Sequence, residues 1–173
     1  MTGLPVRTAP LSYLQEQLWF VEQDDPGNGS YNELKVLVLD GTLDAAVLGR
    51  ALERVVARHD VLRTTFVYQG AEPVQAVWDR GPVLREAAVG GEQALMEYAR
   101  EVAEAPYDLA SGPLLRASLV TLGADRQALV LGVHHIISDG FSMNLLLDEL
   151  DAAYRDELPG GPRDTTRNGT HGE

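Results

Sequence analysis

Val133-His134-His135-Ile136-Ile137-Ser138-Asp139-Gly140 holds the key to this chain. It follows the apolar run Ala128-Leu129-Val130-Leu131-Gly132, which has the aliphatic character of a buried strand. Adjacent side chains on a strand point to opposite faces. One of the two histidines is therefore free to face a cleft while the other packs inward. Asp139 and Gly140 then turn the chain into a helix over about 141–157. A histidine at a strand end, beside a tight turn and a helix start, is placed for general acid/base work.

Working outward, Leu11, Leu14, Gln15, Leu18 and Trp19 recur at helical spacing and predict a helix over 11–22. The Asp-, Pro- and Gly-rich segment 24–30 reads as a loop. Residues 34–39 are rich in Val and Leu and predict a mostly buried strand. Thr42 is a candidate N-cap for a helix that places Val47, Leu48, Ala51, Leu52, Val55 and Val56 on one side. Residues 62–68 and 74–78 predict a hairpin around Gly70, and 92–103 another helix. Strands follow near 115–122 and before the two histidines. The pattern is an α+β fold with a mixed, mostly antiparallel sheet packed by helices. Residues 1–10 read as a lead-in, 11–158 as one lobe, and 159–173 as a polar, disordered tail.

The chain has 173 residues, no cysteine, and a formal net charge of -12. The size allows one domain with a real core. Lacking cysteine, it has no disulfide, no Cys-based zinc site and no thiol nucleophile, which fits the cytoplasm. The acidic balance argues against a nucleic-acid surface, because phosphate binding needs clustered cations. No apolar run is long enough to span a membrane, and residues 1–10 lack a signal-peptide core. His134, His135 and Asp139 are metal-ligand types, but adjacent strand histidines diverge and nothing completes a site. No metal or bound cofactor is expected.

Several stretches, in order, resemble the core motifs of condensation domains from nonribosomal peptide synthetases. Leu11-Ser12-Tyr13-Leu14-Gln15-Glu16-Gln17-Leu18-Trp19-Phe20 is similar to the first motif, and Arg58-His59-Asp60-Val61-Leu62-Arg63-Thr64-Thr65-Phe66 to the second. Pro106-Tyr107-Asp108-Leu109 with Gly112-Pro113-Leu114-Leu115-Arg116 resembles the segment before the active site. His134-His135-Ile136-Ile137-Ser138-Asp139-Gly140-Phe141-Ser142 resembles the active-site motif itself. Gln17 stands where the family usually has Arg, and Phe141 where Trp is common. The resemblance covers only the N-terminal of two chloramphenicol-acetyltransferase-like lobes.

That resemblance implies amide-bond formation between a donor thioester and an amine acceptor, both carried on phosphopantetheine arms of peptidyl carrier proteins. It implies a C-terminal lobe, in cis or in trans, to complete the active-site tunnel. His135 is then the catalytic group, and His134 a mainly structural one. Asp139 has two readings: it polarises His135, or, as the family implies, it pairs with Arg63 and anchors the loop. Gly140 allows close backbone approach, and Ser142 either donates to a developing oxyanion or caps the helix. His59, at a helix end, has a structural role by default. The alternatives are a non-catalytic half domain that binds a carrier protein, and an acetyltransferase-like homotrimer that builds its site between protomers.

Overall fold

The computed structural model describes residues 4–27, 29–138 and 140–158. Its elements, in chain order, are β1 (Arg7–Pro10), α1 (Tyr13–Asp24), β2 (Asn32–Asp40), α2 (Ala45–Arg58), β3 (Thr64–Gln69), β4 (Glu72–Val77), β5 (Leu84–Ala88), α3 (Glu92–Glu104), β6 (Leu115–Gly123), β7 (Arg126–His134) and α4 (Gly140–Glu157). Single 3-10 turns span Asp60–Arg63 and His135–Ile137.

Two sheets form. The larger has strand order β2-β7-β6-β5, with the β5–β6 pair parallel and the others antiparallel. The smaller is the antiparallel order β1-β4-β3. Central strand β7 is buried at every residue from Gln127 to His134. Leu129, Leu131 and Val133 pack into the main core with α2 and α4, while Ala128 and Val130 join Leu95 of α3 in a second cluster on the other face. The alternation of a period-2 strand thus feeds two helical layers from one run.

Helix α2 forms because its apolar residues recur on one face: Val47, Leu48, Ala51, Leu52, Val55 and Val56 are all buried. Its cap is Asp44, whose carboxylate accepts from the backbone N–H groups of Ala46 (2.8 Å) and Val47 (3.0 Å). Thr42, the expected cap, is exposed and two residues upstream; Asp44 carries the negative charge into the first turn, where the exposed N–H groups and helix dipole favour it. Along the α2–α4 seam, Arg50 and Arg54 reach Glu157, and Arg58 and His59 reach Glu149. Such surface pairs contribute at most about 1 kcal/mol each, so the buried apolar side chains hold the seam.

Within the lead-in, Arg7–Pro10 form β1 and pair with β4. Two expectations need correction. Strand β2 is half-buried, not mostly buried, because it lies at the sheet edge, with β7 on one side. The hairpin turn is tighter than expected: β3 and β4 are joined by Gly70 and Ala71 alone, with Gly70 at a φ of 68° that favours glycine. The tail expected to be disordered, 159–173, lies outside the described residues.

The cap assignment is directly testable by urea denaturation. Asp44→Ala should lower stability by about 1 kcal/mol, whereas Thr42→Ala should change it by less than about 0.5 kcal/mol. Equal effects would mean that the helix starts elsewhere.

Candidate active site around the histidine pair

The two histidines part at the end of β7, but not as neighbours on one strand. His134 is the last strand residue, and His135 opens the 3-10 turn His135–Ile137. Their side chains are 2 % and 34 % exposed, respectively. The His135 backbone N–H donates to Tyr31 O (2.8 Å), at the approach to β2, which pins the start of the turn.

His134 is locked into the fold. Its Nδ1 accepts from the Ile136 backbone N–H at 3.2 Å, so its hydrogen sits on Nε2. Nε2 lies 3.7 Å from Glu22 Oε2, beyond hydrogen-bond length, and Glu22 Oε1 accepts from the Gly27 N–H (2.6 Å). Burial, and then the neighbouring His135 imidazole, push the His134 pKa down to about 4. The Tyr107 ring meets the imidazole edge-on, with centroids 5.8 Å apart.

Tyr107 is itself held by Arg116, whose guanidinium lies 3.7 Å over its ring centroid. Arg116 also donates to Ala105 O (2.8 Å) and Pro106 O (2.6 Å), carbonyls just past the end of α3. Burial raises the Tyr107 hydroxyl to about 12, against the opposing pull of Arg116. The ring fits because residue 132 is glycine: a Cβ there would lie 2.9 Å from Val102 Cγ1 and 3.0 Å from the Tyr107 oxygen. A cleft of about 490 Å³ opens beside this ring, with Trp19, Glu22, Tyr68 and Leu109 in its wall.

His135 has a different environment. Its Nδ1 is sealed from solvent and lies 2.7 Å from Glu33 Oε1. The oxygen stands off the direction of a linear N–H donor, so this is a close contact and not a straight hydrogen bond. Nε2 has no protein hydrogen bond among the described residues. Gln15 of α1 reaches the same turn, donating to Ile136 O at 3.5 Å and to Gln75 Oε1 at 3.3 Å. An accepting nitrogen on a half-exposed ring can take or hold a proton from an incoming nucleophile.

The remaining expected residues are only partly brought to this turn. Gly140 begins α4, and Ser142 lies in its first turn, in the wall of a small cavity of about 110 Å³ shared with His59, Ser138 and Glu149. His59 Nε2 donates to Glu149 Oε2 at 2.8 Å and so ties α2 to α4. Arg63 faces a separate cleft with Val56 and Asp79, and is held by the Asp60 carboxylate and Trp78 O. Asp139, the expected partner of Arg63, lies outside the described residues. Among the described residues, no group of three or more His, Cys, Asp or Glu side chains is placed to hold a metal, and no helix is long and apolar enough to cross a membrane. Glu33 and Glu22 escaped the sequence reading. The signal for Glu33 was an acid set next to Tyr31-Asn32 at the start of a strand whose later residues are mostly aliphatic.

The depressed pKa of His134 has a definite consequence for stability. The unfolded chain binds a proton near pH 6.5, and the folded chain only near pH 4. Stability from this group is complete above about pH 6.5 and is lost as pH falls toward 4, up to about 3 kcal/mol. Urea unfolding between pH 7 and 4 should show this loss in the wild type, with a clearly shallower slope in His134→Gln. Parallel curves would mean that His134 is not its source.

A family model for the condensation domain matches residues 6–167. Chondramide synthase cmdD of Chondromyces crocatus is 38 % identical over 154 residues, covering 84 % of this chain and 4 % of that protein. The first condensation domain of the CDA synthetase superposes with a TM-score of 0.80 at 28 % identity, covering 91 % of this chain and 43 % of that one. A variant of the starter condensation domain of rhizomide synthetase, solved with C8-CoA and Leu-SNAC, gives a TM-score of 0.83 at 23 % identity, covering 90 % of this chain and 37 % of that one. The chain therefore spans less than half of these solved domains and a small fraction of the synthase. The solved structures bear out the fold, and the family model, which spans nearly the whole chain, establishes that the chain belongs to the condensation-domain family.

Proposed function

We propose that this chain is the N-terminal lobe of an amide-forming acyltransferase of nonribosomal peptide synthesis, with His135 as its catalytic group. The observation that carries this reading is a half-exposed histidine, its Nε2 free of protein partners among the described residues, presented one residue beyond a buried strand. The acceptor amine nitrogen attacks the donor thioester carbonyl. A C–N bond forms, the C–S bond breaks, and the electron pair leaves with sulfur. The amine proton passes by way of Nε2 to the departing thiolate. A thioester is already activated, so the chemistry asks only for orientation and proton management, with no metal or bound cofactor.

Both substrates arrive on phosphopantetheine arms of carrier proteins, and a C-terminal lobe supplies the opposite wall of the tunnel. The acyl-CoA and aminoacyl thioester analogues held by the rhizomide synthetase domain support substrates of this class. His134 serves by rigidity: buried and neutral, it fixes the turn that presents His135. Asp139 anchors the loop in this reading, and the helix start at Gly140 and Ser142 borders the reacting carbonyl.

The test supplies the C-terminal lobe of a related condensation domain, in cis or in trans, with two loaded carrier proteins. Product should appear on the acceptor carrier by mass spectrometry only when the lobe is present. His135→Ala should lower the rate about 10²–10⁴-fold without changing the far-ultraviolet circular dichroism. Full activity of the 173-residue chain alone would refute the half-domain reading. Full activity of His135→Ala would refute the role given to that residue.

A further inference from the structure

We propose that Glu33 is a positioning residue that holds His135 in the tautomer with hydrogen on Nδ1, which leaves the lone pair on Nε2. The argument starts from register. Asn32 pairs with His134 and Glu33 with Val133, so consecutive residues of β2 serve opposite faces of the sheet. Asn32 turns toward α3, donating to Ala103 O (2.7 Å) and Ala105 O (3.2 Å). Glu33 faces the other side and meets His135 Nδ1 at 2.7 Å.

An ionised carboxylate is an acceptor only. A bare imidazole nitrogen is also an acceptor, and two lone pairs at that distance repel. The contact is favourable only when Nδ1 carries hydrogen. Nδ1 is closed to solvent, so water cannot replace the carboxylate as its partner. The neighbouring histidine is set the opposite way, because His134 Nδ1 is occupied by the Ile136 N–H. Two adjacent imidazoles thus hold opposite tautomers, each chosen by what its Nδ1 meets. This rests on the reading of His135 as the reacting group only for its catalytic meaning; the tautomer itself is a property of this chain.

The tautomer is read from imidazole ¹⁵N shifts of the full chain at pH 8, above the ordinary histidine titration range. His135 should show the Nδ1–H pattern, and His134 the Nε2–H pattern, which also reports that the turn is intact. Glu33→Leu should shift His135 toward Nε2–H with His134 unchanged. Glu33→Gln, which keeps an acceptor oxygen, should restore much of the wild-type pattern. Glu33→Ala gives the same reading should leucine disturb β2. An Nε2–H pattern at His135 in the wild type would overturn the proposal. So would an unchanged His135 pattern in the variants that lack an acceptor. No substrate or second lobe is needed, so this result and the activity test can fail separately.

Discussion

Everything in this lobe depends on a strand that is dry on both faces. β7 has long antiparallel partners on both edges, β2 and β6, and its side chains feed one core with α2 and α4 and another with α3. A fully buried Val or Leu contributes about 1.5–3 kcal/mol, and β7 brings several. Slippage by one residue would exchange the two faces and bring the wrong side chains to each core. The register of β7 is consequently among the most strongly determined features of the molecule.

That determination matters most where the strand stops. A histidine placed one residue beyond a strand with fixed register inherits the precision of that strand. The end of β7 is tied from three directions: the His135 N–H to Tyr31 O, the Ile136 N–H to His134 Nδ1, and Ile136 O to the Gln15 side chain. His134 contributes no exposed chemistry, yet its neutral buried ring is one of the three ties. The pair therefore divides between a structural histidine and an exposed one through packing, with no difference in residue type.

Much of this could be read from the sequence, for identifiable reasons. Helices α2 and α3 were legible because their apolar residues keep a helical period. β6 and β7 were legible as long aliphatic runs. β1 was not: Arg7-Thr8-Ala9-Pro10 is short, polar and ends in proline, and only pairing with β4 makes it a strand. β5 was hidden likewise, since Leu84-Arg85-Glu86-Ala87-Ala88 has little strand character and forms by parallel pairing with β6. Within the site, the histidines and the turn after them were visible as a motif. Glu33 was not, because its meeting with His135 depends on register between segments about a hundred residues apart. The divergence of the histidines was expected from strand alternation, whereas it arises from a change of backbone at His135, from strand to 3-10 turn.

Gly132 limits which substitutions this strand can accept. Along most of β7 one aliphatic residue can replace another at modest cost, because volume is nearly conserved. At 132 even a methyl group collides with Val102 and Tyr107. Tyr107 supports the edge of His134, and Arg116 is clamped to Tyr107. A substitution at 132 therefore propagates through an aromatic ring to the histidine pair without touching either histidine. The strand tolerates exchange of aliphatic side chains broadly but is closed at one point, where the requirement is the room that a missing side chain leaves for its neighbours.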